Sequence, residues 1–264
     1  MADKPTPKKK FSKENAAGDP FNFSRKIFHL IGLIIPVLIY VDIFRILFPG
    51  SFQFPTPSIA FYILGTIVLL FTIIEILRFN FEAWQRAFIK VAGKLLKEKE
   101  YNRVHASLPY ALGLGICISF YPPDIAILSV LCLTVGDPAA AFVGGKWGSH
   151  RFTNGKSLEG MFGGIFGSFF AGMIAMGLVT FFSDSTNLLP LYTKEGVWQL
   201  STIAIILLGA VFAFIFEFFS RDGLFDDNLS IPAGAGLIMT LVTGALHGNL
   251  LQYFMDFYTL VTPL

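Results

Sequence analysis

Residues 58–77, SIAFYILGTIVLLFTIIEIL, form an apolar run with a single charge, Glu75. That is about the 20 residues a helix needs to cross a bilayer. Lipid offers the backbone no hydrogen-bond partner, so such a run folds as a helix that satisfies its own N–H and C=O groups. Six further apolar runs can be read at 27–47, 108–121, 125–143, 161–182, 201–219 and 231–246. The expectation is an all-α polytopic integral membrane protein with about seven transmembrane helices. Composition agrees: 54% of residues are hydrophobic, 14% are charged and 30 are Phe, a load that lipid tolerates and a water-facing surface does not.

Residues 1–23 are rich in Lys, Pro and small polar residues and cannot bury enough apolar surface to order themselves. They read as a disordered basic cytoplasmic tail, and residues 24–264 as a single transmembrane catalytic domain. No cleavable signal peptide is expected, because the first 26 residues are polar and basic. In 79–100, Phe81, Trp84, Phe88, Val91 and Leu95 recur at helical spacing while Glu82, Arg86, Lys90 and Lys94 fall on another face. This predicts an amphipathic helix in the plane of the interface. Glu75 is expected to snorkel from the end of its span, and Cys117 and Cys132, with no ligand spacing, to serve as small packing residues.

Charge tests the layout. With the tail in the cytoplasm, seven Lys and Arg fall in 1–26, seven in 78–107, three in 144–159 and one in 220–230, so that only Arg45 and Lys194 of the 20 lie on the other side. The positive-inside rule requires that bias. It places the N-terminus and every polar segment of interest in the cytoplasm.

The most unusual of those segments is 136–163, GDPAAAFVGGKWGSHRFTNGKSLEGMFG. Asp137 lies inside an apolar run, where an acid is costly and faces a cavity, a cation or a partner charge. Pro138 removes a backbone donor beside it and favours a break in the helix. Gly144 and Gly145 allow close backbone approach, and Lys146, Arg151 and Lys156 can neutralise phosphate. The alternative is a tight loop between two helices packed through small residues. A second acidic group, Asp226-Asp227 with Asn228, falls on the same side, and carboxylates with an amide oxygen are hard donors suited to Mg²⁺. Together these residues suit phosphoryl or nucleotidyl transfer, which asks for positioning and stabilisation of charge on oxygens. Gly155-Lys156-Ser157 imitates the end of a P-loop, but His150 stands where its first glycine is required. A transporter using Asp137, Glu75 and Glu217 is a third reading; it lacks the repeat symmetry such proteins show.

Four ordered blocks then carry a resemblance: Arg25-Lys26 with His29; Gly136-Asp137 with AAAFVGGKWG; Gly155-Lys156-Ser157-Leu158-Glu159-Gly160; and Glu217 followed by Asp226-Asp227-Asn228-Leu229-Ser230-Ile231-Pro232. Over most of 24–240 the chain resembles the dolichol kinase, phytol kinase and CTP-dependent diacylglycerol kinase family. The resemblance implies a CTP-using, Mg²⁺-dependent membrane kinase that phosphorylates a lipid alcohol. It implies that Arg25, Lys26 and His29 bind the lipid, that Gly144, Gly145, Lys146, Arg151, Lys156, Ser157, Gly160 and Asn228 bind nucleotide, and that Asp137, Asp226 and Asp227 hold the metal. The base stays open among Asp137, Asp226, Asp227 and His29. The central block also resembles phosphatidate cytidylyltransferase, but RDGLFDDNLSIPAGAG lacks that enzyme's Pro-Gly-His-Gly-Gly turn. Expected partners are a membrane lipid and a nucleotide, not nucleic acid, with a homodimer left open. The host membrane is the bacterial cytoplasmic membrane or the endoplasmic reticulum.

Overall fold

A computed structural model describes residues 32–92, 103–182, 199–220 and 224–263. Among these the elements are helical: α1 (Ile34–Val41), α2 (Ile43–Leu47), α3 (Pro55–Asn80), α4 (Glu82–Ala92), α5 (Ser107–Phe120), α6 (Pro123–Leu131), α7 (Asp137–Trp147), α8 (Leu158–Phe182), α9 (Leu200–Phe219), α10 (Asp227–Leu246) and α11 (Phe257–Val261). The one β-type contact among them is an isolated antiparallel bridge between Arg151 and Ser157.

Five helical stretches are long and apolar enough to cross a membrane: Pro55–Asn80, Pro123–Trp147, Leu158–Val179, Leu200–Phe219 and Asp227–Leu246. The other two expected spans differ. The 14-residue α5 is apolar but short. The first run, as far as it is described, is broken at Asp42, whose left-handed backbone (φ 48°, ψ 52°) separates α1 from α2. The Asp42 carboxylate explains the break, because it is tied to Arg45 Nε at 2.5 Å and accepts from the Thr56 hydroxyl at the start of α3. The last span is longer than read from sequence. It starts at Asp227 and carries Pro232 inside its second turn, where no N–H is available for the Asn228 carbonyl. Gly113 of α5 packs against that carbonyl, and a Cβ there would stand 2.6 Å from it.

The stretch Pro123–Trp147 is the most enclosed of the five and Pro55–Asn80 the most exposed. The former runs through the middle of the bundle as α6, a π-helical turn at Cys132–Gly136, and α7. Helices α8, α9 and α10 pack around it, and α3 lies outside against α5. Small residues set the spacing between α7 and α8: a Cβ at Gly160 would stand 3.0 Å from the Ala140 carbonyl and 3.2 Å from Gly144 Cα, so the two backbones are nearly in contact. Cys117 and Cys132 are free and buried in this core, as their spacing implied.

The amphipathic helix is present but starts later than read, because α3 continues through Asn80 and Phe81 turns extended before Glu82. Trp84 and Val91 are exposed, and Leu95 lies outside the described residues. Glu75 corrects the expectation of snorkelling. It is buried and pairs at 2.5 Å with Arg78, itself 1% exposed. Arg78 also donates to the Arg103 carbonyl, and its guanidinium lies over the rings of Phe79 (4.5 Å) and Phe88 (4.9 Å). A desolvated acid needs a charged partner, and an Arg three residues on supplies it on the same helix face. The pair holds α4 against the end of α3.

At Gly164 an added methyl would overlap the buried Phe214 ring of α9. Gly164→Ala is therefore expected to cost about 1–3 kcal/mol by overpacking, read as a lower melting temperature in detergent. Phe214→Leu in the same chain should recover part of the loss. An unchanged melting temperature would contradict this packing.

Candidate active site

Asp137 follows directly on the π-helical turn, and Pro138 is its neighbour. The wider turn accommodates a proline that cannot bond the preceding backbone, which is where the sequence placed a discontinuity. Asp137 is 7% exposed. Phe214 of α9 packs at Gly136, so Glu217, one turn further along α9, stands at the level of Asp137.

Glu217 is the junction of the site. It is in electrostatic reach of Lys156, Asp137 and Asp227. Asp137 in mid-chain and Asp227 ninety residues later thus act electrostatically on one carboxylate, at the end of α9. Lys156 Nζ lies 3.2 Å from Glu217 Oε1, donates to the Glu217 carbonyl and stands 3.1 Å from Ser220 Oγ. Ser220 Oγ in turn donates to the Glu217 carbonyl at 2.7 Å. A cation at a helix C-terminus is favoured by the dipole and satisfies carbonyls that have no intrahelical partner.

Asp226 caps α10. Its Oδ1 accepts from the backbone N–H of Asn228 (3.0 Å) and Leu229 (3.4 Å), and its Oδ2 from Asn228 Nδ2 (2.8 Å). Burial, and then the charge of Asp227 beside it, push the Asp226 carboxyl well above the usual carboxylate range. A cation here would relieve that repulsion. Asp227 is half-buried and Asn228 buried.

The stretch 148–160 divides the expected nucleotide residues into two groups. Arg151 donates to the carbonyls of Gly155 and Gly144, both at 3.1 Å, closing its own loop and the end of α7. Ser157 Oγ accepts from the Gly160 N–H at 3.1 Å and sits where Cβ atoms on Gly144, Gly148 and Gly160 would fall. Glu159 accepts from Ser149 Oγ (2.5 Å) and the His150 N–H (3.1 Å), and pairs with His150 Nδ1 (2.7 Å). Asn154 Nδ2 donates to the Phe218 carbonyl at 3.0 Å, and the Phe152 and Phe218 rings meet at 4.8 Å. Gly155 takes φ +84°, which its lack of a Cβ permits. Arg151, Lys156, Ser157, Gly144 and Gly160 are therefore engaged within the protein. Lys146 and Gly145 face outward: Lys146 is exposed over Trp147 (4.6 Å) and Phe142 (5.7 Å), and a Cβ at Gly145 would meet open space. Arg25, Lys26 and His29 lie outside the described residues.

Among the described residues no three His, Cys, Asp or Glu side chains converge closely enough to hold a metal by themselves. Mg²⁺ does not ask for such a cage; it binds through one or two carboxylates together with waters and substrate phosphates. Asp137 and Asp227, two carboxylates within electrostatic reach of the same Glu217, fit that demand. Glu217 is absent from the site set read from sequence, although its charge, opposite to that of Lys156 and at a span end on the same side, could have suggested the pair.

The chain is 30% identical to CTP-dependent diacylglycerol kinase 1 of Schizosaccharomyces pombe over 172 residues, 64% of this chain and 74% of that protein. It belongs to that kinase family. The Saccharomyces cerevisiae protein of the same name is 28% identical over 66% of this chain and 61% of its own length. Phytol kinase of Synechocystis is 33% identical over 51% of this chain and 53% of its own length. No family model and no solved structure matches the chain. The family resemblance read from the four blocks is thus confirmed.

The cap geometry makes a prediction independent of chemistry. Asp226→Ala should cost about 0.5–2 kcal/mol, and Asp226→Asn, which can still accept from the same N–H groups, distinctly less. Melting temperatures of the two variants compare them; equal losses would mean that the Asp226 cap does not hold α10.

Proposed function

We propose that the chain transfers the terminal phosphoryl group of CTP to the hydroxyl of a membrane lipid alcohol, at a site on the cytoplasmic side. Membership of the kinase family supports the reaction class, and the electrostatic reach from Asp137 and Asp227 to Glu217 supports the place. The diacylglycerol and phytol of the relatives' names share a hydroxyl at the polar end of long apolar chains, and a polyprenol such as dolichol has the same form. The bias of Lys and Arg toward one side supports the orientation, with the N-terminus inside.

In this reading the lipid oxygen attacks the terminal phosphorus, the bond from that phosphorus to the CDP oxygen breaks, and CDP leaves. The hydroxyl proton passes to one of Asp137, Asp226, Asp227 or His29. Asp137 and Asp227 would hold Mg²⁺, which would supply charge stabilisation to the phosphate oxygens. The chain's own part is position. The π-helical turn fixes Asp137, the Asp226 cap fixes the start of α10 and so Asp227, and the clamp at 148–160 fixes the end of α9. Lys146, exposed at the end of α7 over Trp147 and Phe142, is a cation that a phosphate approaching from water can meet. Arg25, Lys26 and His29 are proposed to meet the lipid. All these side chains come from one chain, so the reading does not call on a homodimer.

CTP labelled separately at its α and γ phosphates tests the reaction in reconstituted protein with diacylglycerol, phytol or dolichol. Label from γ should enter the lipid; label from α would instead mean cytidylyl transfer. Asp137→Asn should lower turnover by about 100-fold or more, the scale of losing one electrostatic group at a transferring centre, without loss of membrane insertion. Full activity in that variant would remove Asp137 from the mechanism.

A further inference from the structure

The GKSLEG block looks like a phosphate cradle in sequence, yet its lysine is already occupied. An ammonium has three N–H donors and no more. Around Lys156 Nζ stand three acceptors from the end of α9: Glu217 Oε1 at 3.2 Å, the Glu217 carbonyl, and Ser220 Oγ at 3.1 Å. Both side chains are largely withdrawn from water, at 29% exposure for Lys156 and 12% for Glu217. To turn onto a phosphate, Lys156 would have to abandon a partly buried carboxylate, a backbone carbonyl and a hydroxyl at once, and the acid left behind would be uncompensated. The rest of the block is closed in the same way, with Ser157 on the Gly160 N–H and Glu159 on Ser149 and His150.

The geometry points to Lys156 and Glu217 as a positioning pair that sets the charge at the cation site, with Lys156 acting through Glu217 and not as a ligand to nucleotide. The inference rests on the reading of the site as a CTP-dependent kinase centre. Glu217 pairs with the ammonium at 3.2 Å and is within electrostatic reach of both Asp137 and Asp227. The ammonium offsets one negative charge of that group and holds the Glu217 side chain toward the 148–160 clamp. The two partners must then act on cation affinity in opposite directions. Removing the ammonium leaves the site more negative, and removing the carboxylate leaves it less negative. A lysine that bound phosphate directly would act on nucleotide affinity, and a merely structural pair would move everything one way.

The experiment is a Mg²⁺ titration at fixed CTP, with no lipid present, read as the thermal stabilisation of detergent-solubilised protein. The same titration is repeated by activity once diacylglycerol is added. Lys156→Met should lower the Mg²⁺ midpoint by about three- to tenfold and Glu217→Gln should raise it by a similar factor, as expected for a unit charge within electrostatic reach of the cation's carboxylates in a partly screened site. The double variant should fall back near the wild type. A Lys156→Met protein whose KM for CTP rises about tenfold with an unmoved Mg²⁺ midpoint would overturn the inference in favour of a phosphate ligand. Midpoints that move in the same direction in both single variants, or in neither, would also overturn it. Should Lys156→Met fail to fold, the isosteric Glu217→Gln decides alone: an unmoved midpoint there ends the proposal. If the wild type shows neither Mg²⁺-dependent stabilisation by CTP nor transfer from it, the kinase reading itself has failed, and the variants say nothing about it.

Discussion

The site depends on one ammonium at the end of a helix. Lys156, on the loop before α8, caps the C-terminus of α9 through the Glu217 carbonyl and the Ser220 hydroxyl while pairing with the Glu217 carboxylate. A helix end near the membrane surface leaves carbonyls without partners, and here the chain satisfies them with a cation from another element. The consequence is positional. The loop carrying Lys156 is closed on itself by Arg151, Ser157 and Glu159, so the end of α9 is referred to the α7–α8 pair and not left to the lipid. Asp137, and Asp227 at the start of α10, are both within electrostatic reach of the Glu217 so held.

Small residues make that relation possible. Gly160 lets α8 approach the backbone of α7, and Gly136 and Gly164 admit the Phe214 ring between helices. In a bilayer the apolar effect does not favour helix against helix over helix against lipid, so close approach and good van der Waals contact carry the association. The same glycines that suggest a ligand cradle in sequence turn out, for the most part, to be packing glycines. Gly145 and Gly155, where an added Cβ would meet nothing within 4 Å, are the exceptions.

Much of the fold was legible because the bilayer imposes a simple rule on apolar runs. Five of the expected spans are helices of crossing length, and Asp137 lies at a helix discontinuity as its neighbour Pro138 implied. What misled was local chemistry that depends on tertiary partners. Asp42 broke the first run because Thr56 and Arg45 could bind it, and Glu75 stayed inside because Arg78 was on its face. Neither follows from hydropathy. The candidate site was half legible. Acids at mid-chain and at 226–227 were found from cost and charge, whereas the distinction between a lysine that faces solvent, Lys146, and one fully engaged within the protein, Lys156, needed the end of α9 in view.

In the proposed mechanism, acids ninety residues apart, Asp137 and Asp227, hold one cation near Glu217. A structure of the protein with Mn²⁺ and a non-hydrolysable CTP analogue tests it most directly, because Mn²⁺ is located by its anomalous scattering. The account predicts a Mn²⁺ peak against Asp137 and Asp227 that also touches the triphosphate. A peak held elsewhere, or a triphosphate lying in the loop 148–157 with Lys156 turned onto it, would contradict it.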